Sequence, residues 1–125
     1  MATLLIVDDE TAVREMLYEL FSATYECHTA DRAEQALEYL EIENYDVVIT
    51  DISMPGLGGV EILKRIKQLQ PSTPVIVISG HMAEDVASLL ELGAFAFFPK
   101  PFRLEEVEDA VVKAIAHRQR QGASG

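Results

Sequence analysis

The chain contains a single cysteine, no tryptophan, and ten basic residues against twenty-one acidic ones. Cys27, with no second thiol to pair with, forms no internal disulfide, and the sequence fits a reducing compartment. A formal charge of -11 repels nucleic-acid phosphates and anionic membrane surfaces, so neither direct nucleic-acid contact nor membrane association is expected. No apolar stretch approaches the ~20 residues of a membrane span. The short apolar run near the N-terminus has no basic segment before it and meets acids straight after it, unlike a secretory signal. A cytoplasmic location is the expectation. What is present is ordinary for a globular protein: 125 residues, 49% hydrophobic and 25% charged, enough for one domain with a substantial core.

Short apolar runs alternate with helical patterns along the whole chain, which predicts βαβ units and a parallel sheet covered on both faces. The predicted strands are Leu4 to Val7, Glu26 to Thr29, Val47 to Thr50, Val75 to Ser79 and Ala94 to Phe98, the second having the weakest pattern. Val13, Met16, Leu17, Leu20 and Phe21 recur at helical spacing. So do Ala33, Ala36, Leu37 and Leu40, after a predicted cap at Asp31 with Glu34 three residues on. Val60, Leu63, Ile66 and Leu69 mark a third helix before PSTP, Val86, Leu89 and Leu90 a fourth that Gly93 ends, and Leu104, Val107, Val111, Ala114 and Ile115 a fifth. The apolar pattern stops before HRQRQGASG, so residues 120 to 125 read as a frayed end, linker or tail after a domain of residues 1 to 119.

In open α/β sheets ligands gather beyond the carboxyl ends of the strands. There the sequence places Asp8, Asp9 and Glu10 after the first strand, Asp51 after the third, Ser79 after the fourth and Lys100 between two prolines after the fifth. In isolation an acidic run is a solvated face, Asp51 a loop acid, Ser79 a strand-end hydroxyl and Lys100 a surface lysine. Adjacent parallel strands change this, because their terminal acids must approach one another. Two carboxylates about 5 Å apart repel by roughly 3 kcal/mol at an effective dielectric near 20, and three by up to about 10 kcal/mol. That rivals the stability of a small domain, so a compensating cation or protonation is required. All-oxygen ligation with few carboxylates suits Mg²⁺ or Mn²⁺, whose remaining positions accept phosphate oxygens.

The ordered set LLIVDDE, VVITDISMPGLGGVEIL, PVIVISG and FFPKPF, within about residues 3 to 118, resembles the response-regulator receiver domain of two-component signalling, of the chemotaxis-regulator type. The resemblance implies a flavodoxin-like (βα)5 fold with five parallel strands in the order 2-1-3-4-5. It implies that Asp51 accepts a phosphoryl group from a partner histidine kinase or phosphotransfer protein, in a Mg²⁺-dependent reaction catalysed by the domain on itself. Asp9, Asp51 and the backbone carbonyl of Ser53 would hold the ion, with Asp8 acting through water and Glu10 a neighbour. Lys100, the Ser79 hydroxyl and the Gly80 amide would bind phosphoryl oxygens. Pro101 would follow a cis peptide. Ser79 and Phe97 would carry the switch to a face of helix four, strand five and helix five, which controls an output domain or protein and offers a route to a homodimer.

Some features depart from the family pattern or fall outside it. Phe97 stands where a tyrosine is frequent, so no phenolic hydroxyl reports its position. Pro99 removes a backbone donor just before Lys100. Ser53 and His81 occupy positions whose side chains vary in the family, and His81 reads as a polar loop residue or as one that positions water. His28 and His117 read as surface residues, and Phe95, Phe97, Phe98 and Phe102 as one aromatic packing cluster. Two other functional classes compete. An aspartyl-phosphate phosphatase would want an acid where Ser53 stands, and a flavin binder would want a hydroxyl- and glycine-rich loop where DDE stands. A receiver that binds partners without phosphorylation is the remaining alternative.

Overall fold

The computed structural model describes residues 1–53, 59–80 and 86–124. Strands and helices alternate as β1 (Thr3–Val7), α1 (Thr11–Ser22), β2 (Glu26–Ala30), α2 (Ala33–Ile42), β3 (Val47–Asp51), α3 (Gly59–Leu69), β4 (Val75–Ser79), α4 (Val86–Glu91), β5 (Ala94–Pro99) and α5 (Leu104–Ser124). The five strands are parallel in the order β2-β1-β3-β4-β5, the flavodoxin-like arrangement that the resemblance implies. Every residue of β3 and β4 is buried, as expected of central strands with helices on both faces. The weak pattern of β2 has a physical cause: it is an edge strand, and only its last residue is fully buried.

Alternation along the strands separates two cores. Leu5, Val7, Val48, Val75 and Val77 face α2, α3 and α4, where they meet Ala36, Leu40, Ile62, Leu63, Ile66 and Leu89. Leu4, Ile6, Val47, Ile49, Ile76 and Ile78 face α1 and α5, against Leu17, Phe21, Val107, Val111 and Ala114. A buried polar seam closes the end of the first core. Gln70 accepts from the Tyr45 amide at 3.0 Å and from the Thr73 hydroxyl at 2.9 Å, and donates to the carbonyls of Leu40 and Glu43 at 2.9 and 2.6 Å. This satisfies backbone groups at the α2 to β3 connection, the Tyr45 amide and Leu40 carbonyl among them in buried hydrogen bonds.

Several expectations need correction. The residue preceding α2 is Arg32 in extended conformation with no side-chain cap bond, not Asp31. The Asp31 carboxylate turns to Arg32 Nη1 at 3.1 Å, and the Asp31 amide instead donates to Gln35 Oε1 at 3.2 Å. Helix α5 is described as far as Ser124, so it includes residues 120 to 124, which Arg and Gln, as good helix formers, favour. The four phenylalanines are not one cluster. A register shift at Val75/Ile76 places Phe95, Ala96, Phe98 and Phe102 against the α1/α5 core, while Phe97 packs on the opposite side with Val77 and Leu89. His28 and His117 are half-buried rather than surface residues; the His117 ring lies 5.5 Å from that of Phe95. Among the described residues, no helix is long and apolar enough to cross a membrane.

Candidate functional site

The parallel strands deliver their carboxyl ends to one rim, where the chain turns from buried β-structure into polar residues. Asp8 follows β1; its amide donates to the Ala30 carbonyl at 3.1 Å, continuing the ladder, so its side chain is pulled under the rim and has no solvent exposure. Asp9 and Glu10 lie beyond it and are exposed. Asp8 Oδ1 accepts from the Glu10 amide at 2.8 Å, and the Asp8 carbonyl accepts from Arg14 Nη1 at 2.8 Å, which ties the acidic loop to the start of α1. Asp51 is the last residue of β3 and is 1% exposed. Its Oδ1 accepts from both the amide and the hydroxyl of Ser53, at 2.8 and 2.7 Å, leaving Oδ2 to face the remainder of the site.

Lys100 enters from the end of β5. Its amide donates to the Ser79 carbonyl at 2.8 Å, and the peptide bond to Pro101 is cis, as the resemblance implies. The ammonium nitrogen stands 2.9 Å from Asp8 Oδ2, 2.7 Å from Glu10 Oε1 and 3.1 Å from Asp51 Oδ2. Burial by itself lowers the pKa of Lys100, yet the carboxylates of Glu10, Asp8 and Asp51 around it outweigh burial and hold it above the ordinary lysine value. Lys100 therefore remains a cation at every physiological pH. The pKa of Asp8 is raised as well, but here burial is the cause. Desolvation raises its pKa above that of an ordinary aspartate, more than the Glu10 amide and Lys100 lower it, and the nearby Asp51 charge raises it further.

One ammonium thus serves three acids, two of them buried. Asp8 Oδ2 is buried and, although close to Lys100 Nζ, lies outside hydrogen-bonding geometry with any partner among the described residues. Asp8, Asp9 and Asp51 each present an oxygen within 4.8 Å of the others. An orphaned buried carboxylate oxygen beside two more carboxylates is a donor set that fits an oxygen-preferring divalent ion such as Mg²⁺ or Mn²⁺.

The structure brings together Asp8, Asp9, Asp51, Ser53 and Lys100 from three strand ends, with Ser79 buried at the end of β4 next to them in the sheet. Gly80 follows and is exposed; among the described residues a Cβ there would meet only Lys100 Cδ, at 3.8 Å, an ordinary contact that places this position beside the lysine stem. Phe97 sits half-buried against the core of α4, two strands from Asp51. Position 81 lies outside the described residues. Glu10 is the residue whose part the sequence reading understated: it makes the shortest of the lysine's three contacts. Its place beside two aspartates was visible, but its reach across to a residue ninety positions away was not.

Comparison with known proteins agrees with this geometry. The response regulator receiver domain model matches residues 4–112. Over 118 residues the chain is 40% identical to the DNA-binding transcriptional regulator NtrC of Escherichia coli (strain K12), covering 93% of this chain and 25% of that protein. It is 38% identical over 114 residues to sporulation initiation phosphotransferase F of Bacillus subtilis (strain 168), covering 90% of this chain and 92% of that one. The chain therefore spans a quarter of the length of NtrC and nearly all of the sporulation protein. A response regulator receiver domain protein from Clostridium thermocellum superposes with a TM-score of 0.88 at 33% identity, covering 97% and 99% of the two chains. Fold, acidic rim, inward lysine and these likenesses converge, and the chain belongs to the response regulator receiver domain family.

Proposed function

We propose that this domain is a phosphoacceptor switch in which Asp51 takes a phosphoryl group from the phosphohistidine of a partner kinase or phosphotransfer protein. The observation that carries the reading is the placement of the Lys100 ammonium 3.1 Å from Asp51 Oδ2, with Asp51 Oδ1 already held by Ser53. One carboxylate oxygen is anchored and the other points at a fixed cation.

A carboxylate is a poor nucleophile toward an anionic phosphoryl group, since both are negative, so the protein must supply positive charge and alignment. Asp51 Oδ2 attacks phosphorus; the new P–O bond forms as the P–N bond to the donor imidazole breaks, and the departing imidazole takes a proton from solvent. Lys100 turns from its carboxylate partners to an equatorial phosphoryl oxygen, and the Ser79 hydroxyl and Gly80 amide bind another. Asp9, Asp51 and the Ser53 carbonyl would hold Mg²⁺ directly, and Asp8 through water. When bound, the ion neutralises charge developing on the phosphoryl oxygens. Hydrolysis of the acyl phosphate by the domain itself restores the resting state.

The phosphoryl group adds charge and acceptor oxygens where one carboxylate oxygen stood, which favours an inward Ser79 and a repacked Phe97. The face formed by α4, β5 and α5 would pass this change to an output domain or protein, or to a second copy. A cytoplasmic location and no nucleic-acid contact by this segment accompany the reading. A turnover phosphatase is disfavoured by Ser53, which offers no acid two residues after Asp51. Incubation with acetyl phosphate and Mg²⁺ tests the reading by intact mass: the wild type gains one phosphoryl group and Asp51→Asn gains none. Equal labelling of the two proteins overturns it.

A further inference from the structure

A second cluster of ligating side chains lies away from the acidic rim, at the opposite end of the strands, and the phosphoacceptor chemistry leaves it unused. Glu26 opens β2, His28 follows on the same strand, and Glu43 stands just past α2. One imidazole nitrogen and one oxygen from each carboxylate lie within 4.8 Å of one another. We propose that Glu26, His28 and Glu43 form a second cation site, taking a divalent transition ion such as Zn²⁺ rather than Mg²⁺.

The donor set separates the two sites chemically. Three carboxylates at the rim suit a hard cation with waters, whereas an imidazole with two carboxylates suits zinc and its neighbours in the series. The histidine is also held as metal-binding histidines are. His28 Nδ1 lies 2.8 Å from the hydroxyl of Tyr45, a residue only 1% exposed whose amide is fixed by Gln70 Oε1 at 3.0 Å. With a protonated Nδ1 donating to that hydroxyl the ring is oriented as in metal sites, and an ion would take the place of the proton that Nε2 shares with Glu26.

Spacing is compatible with such an ion. His28 Nε2 is 3.1 Å from Glu26 Oε2, and the three residues keep a ligand atom each within 4.8 Å of the others; Glu43 Oε2, which stands 3.4 Å from Nδ1, would turn toward an ion on Nε2. Donors around a tetrahedral zinc lie about 3.4 Å apart, given metal–donor distances near 2.1 Å. Both glutamate side chains are exposed, at 58% and 47%, which leaves them room to adjust. A cavity of about 340 Å³ lined by His28, Thr29, Tyr39, Ile42, Glu43 and Tyr45 opens beside the cluster and leaves room for water in the remaining coordination positions. Binding would cross-link edge strand β2, which has a neighbour on one side only, to the connection between α2 and β3.

The competing account is an ion pair alone, with a protonated His28 between two glutamates. Titration of the metal-stripped 125-residue protein with Zn²⁺ distinguishes the two, using His28→Gln, Glu43→Gln and Asp9→Asn. The proposal expects one zinc equivalent that survives Asp9→Asn and weakens at least about tenfold in each of His28→Gln and Glu43→Gln. The same equivalent should raise the thermal midpoint of the wild type and bind less well in acid, because the ligands must shed protons. Since Glu43 is exposed, its variant keeps the test valid if His28→Gln folds poorly. Zinc affinity that follows Asp9 and ignores His28 and Glu43 overturns the proposal. So does a thermal midpoint that responds to pH but not to zinc, which would leave the ion pair only.

Discussion

Replacing Lys100 by Met removes the ammonium while keeping most of the buried stem. Asp8 and Asp51, with side-chain exposures of 0% and 2%, are then left without their shared cation. With oxygens within 4.8 Å of each other, these two charges repel by about 3.5 kcal/mol or more at an effective dielectric near 20. Removing one partner of a buried ion pair independently leads to about 3–5 kcal/mol. The variant should lose about 3–4 kcal/mol near neutral pH in the presence of a chelator, a large share of the roughly 5–15 kcal/mol available to such a domain. Urea denaturation of both proteins measures this. The deficit should shrink on acidification. Asp8 has a raised folded-state pKa, so its contribution favours folding in acid and is lost as pH rises through that pKa. In the variant the lowering influence of Lys100 is gone and the pKa rises further. Mg²⁺ should also narrow the gap. A variant as stable as the wild type near neutral pH without divalent ions, or a deficit indifferent to pH and Mg²⁺, refutes the claim that the rim holds uncompensated buried charge.

Asp51→Asn keeps an acceptor for Ser53 and loses one negative charge; repulsion from Asp8 and Asp9 disappears along with attraction to Lys100, so the metal-free protein should gain about 2 kcal/mol in the same assay. Gln70→Leu strands the buried Tyr45 amide and should cost about 2–3 kcal/mol, read as a fall in the urea midpoint with unchanged slope. Gly93→Ala should cost at least about 1 kcal/mol by thermal unfolding, because the residue has φ 105° and a Cβ there would come within 3.2 Å of Lys67 Cε.

Much of this molecule was legible in the residue order for a physical reason. Buried parallel strands such as VVIT and VIVIS need apolar side chains on both faces, so they stand out as runs, and helices needing one apolar stripe stand out between them. The rim followed, since parallel strands put Asp8, Asp51, Ser79 and Lys100 at equivalent ends. What periodicity could not show depends on side-chain reach and sheet register. Lys100 extends to Glu10 as well as to the two buried acids, a contact set by three-dimensional approach. The register shift beside Ala94 carries Phe97 to the opposite face from Phe95 and Phe98, which a run of alternating residues does not reveal. The half-buried His28, bonded to Tyr45 seventeen positions away, likewise depends on how α2 returns the chain to β3.

The central claim is that one oxygen of Asp51 is the nucleophile of this site. Reducing the acyl phosphate with borohydride after incubation with acetyl phosphate and Mg²⁺, then mapping peptides by mass, locates the modified residue. The account predicts a single modified position, residue 51, that depends on Mg²⁺ and is diminished in Lys100→Met. Modification at residue 8, 9 or 10, or none at residue 51, contradicts it.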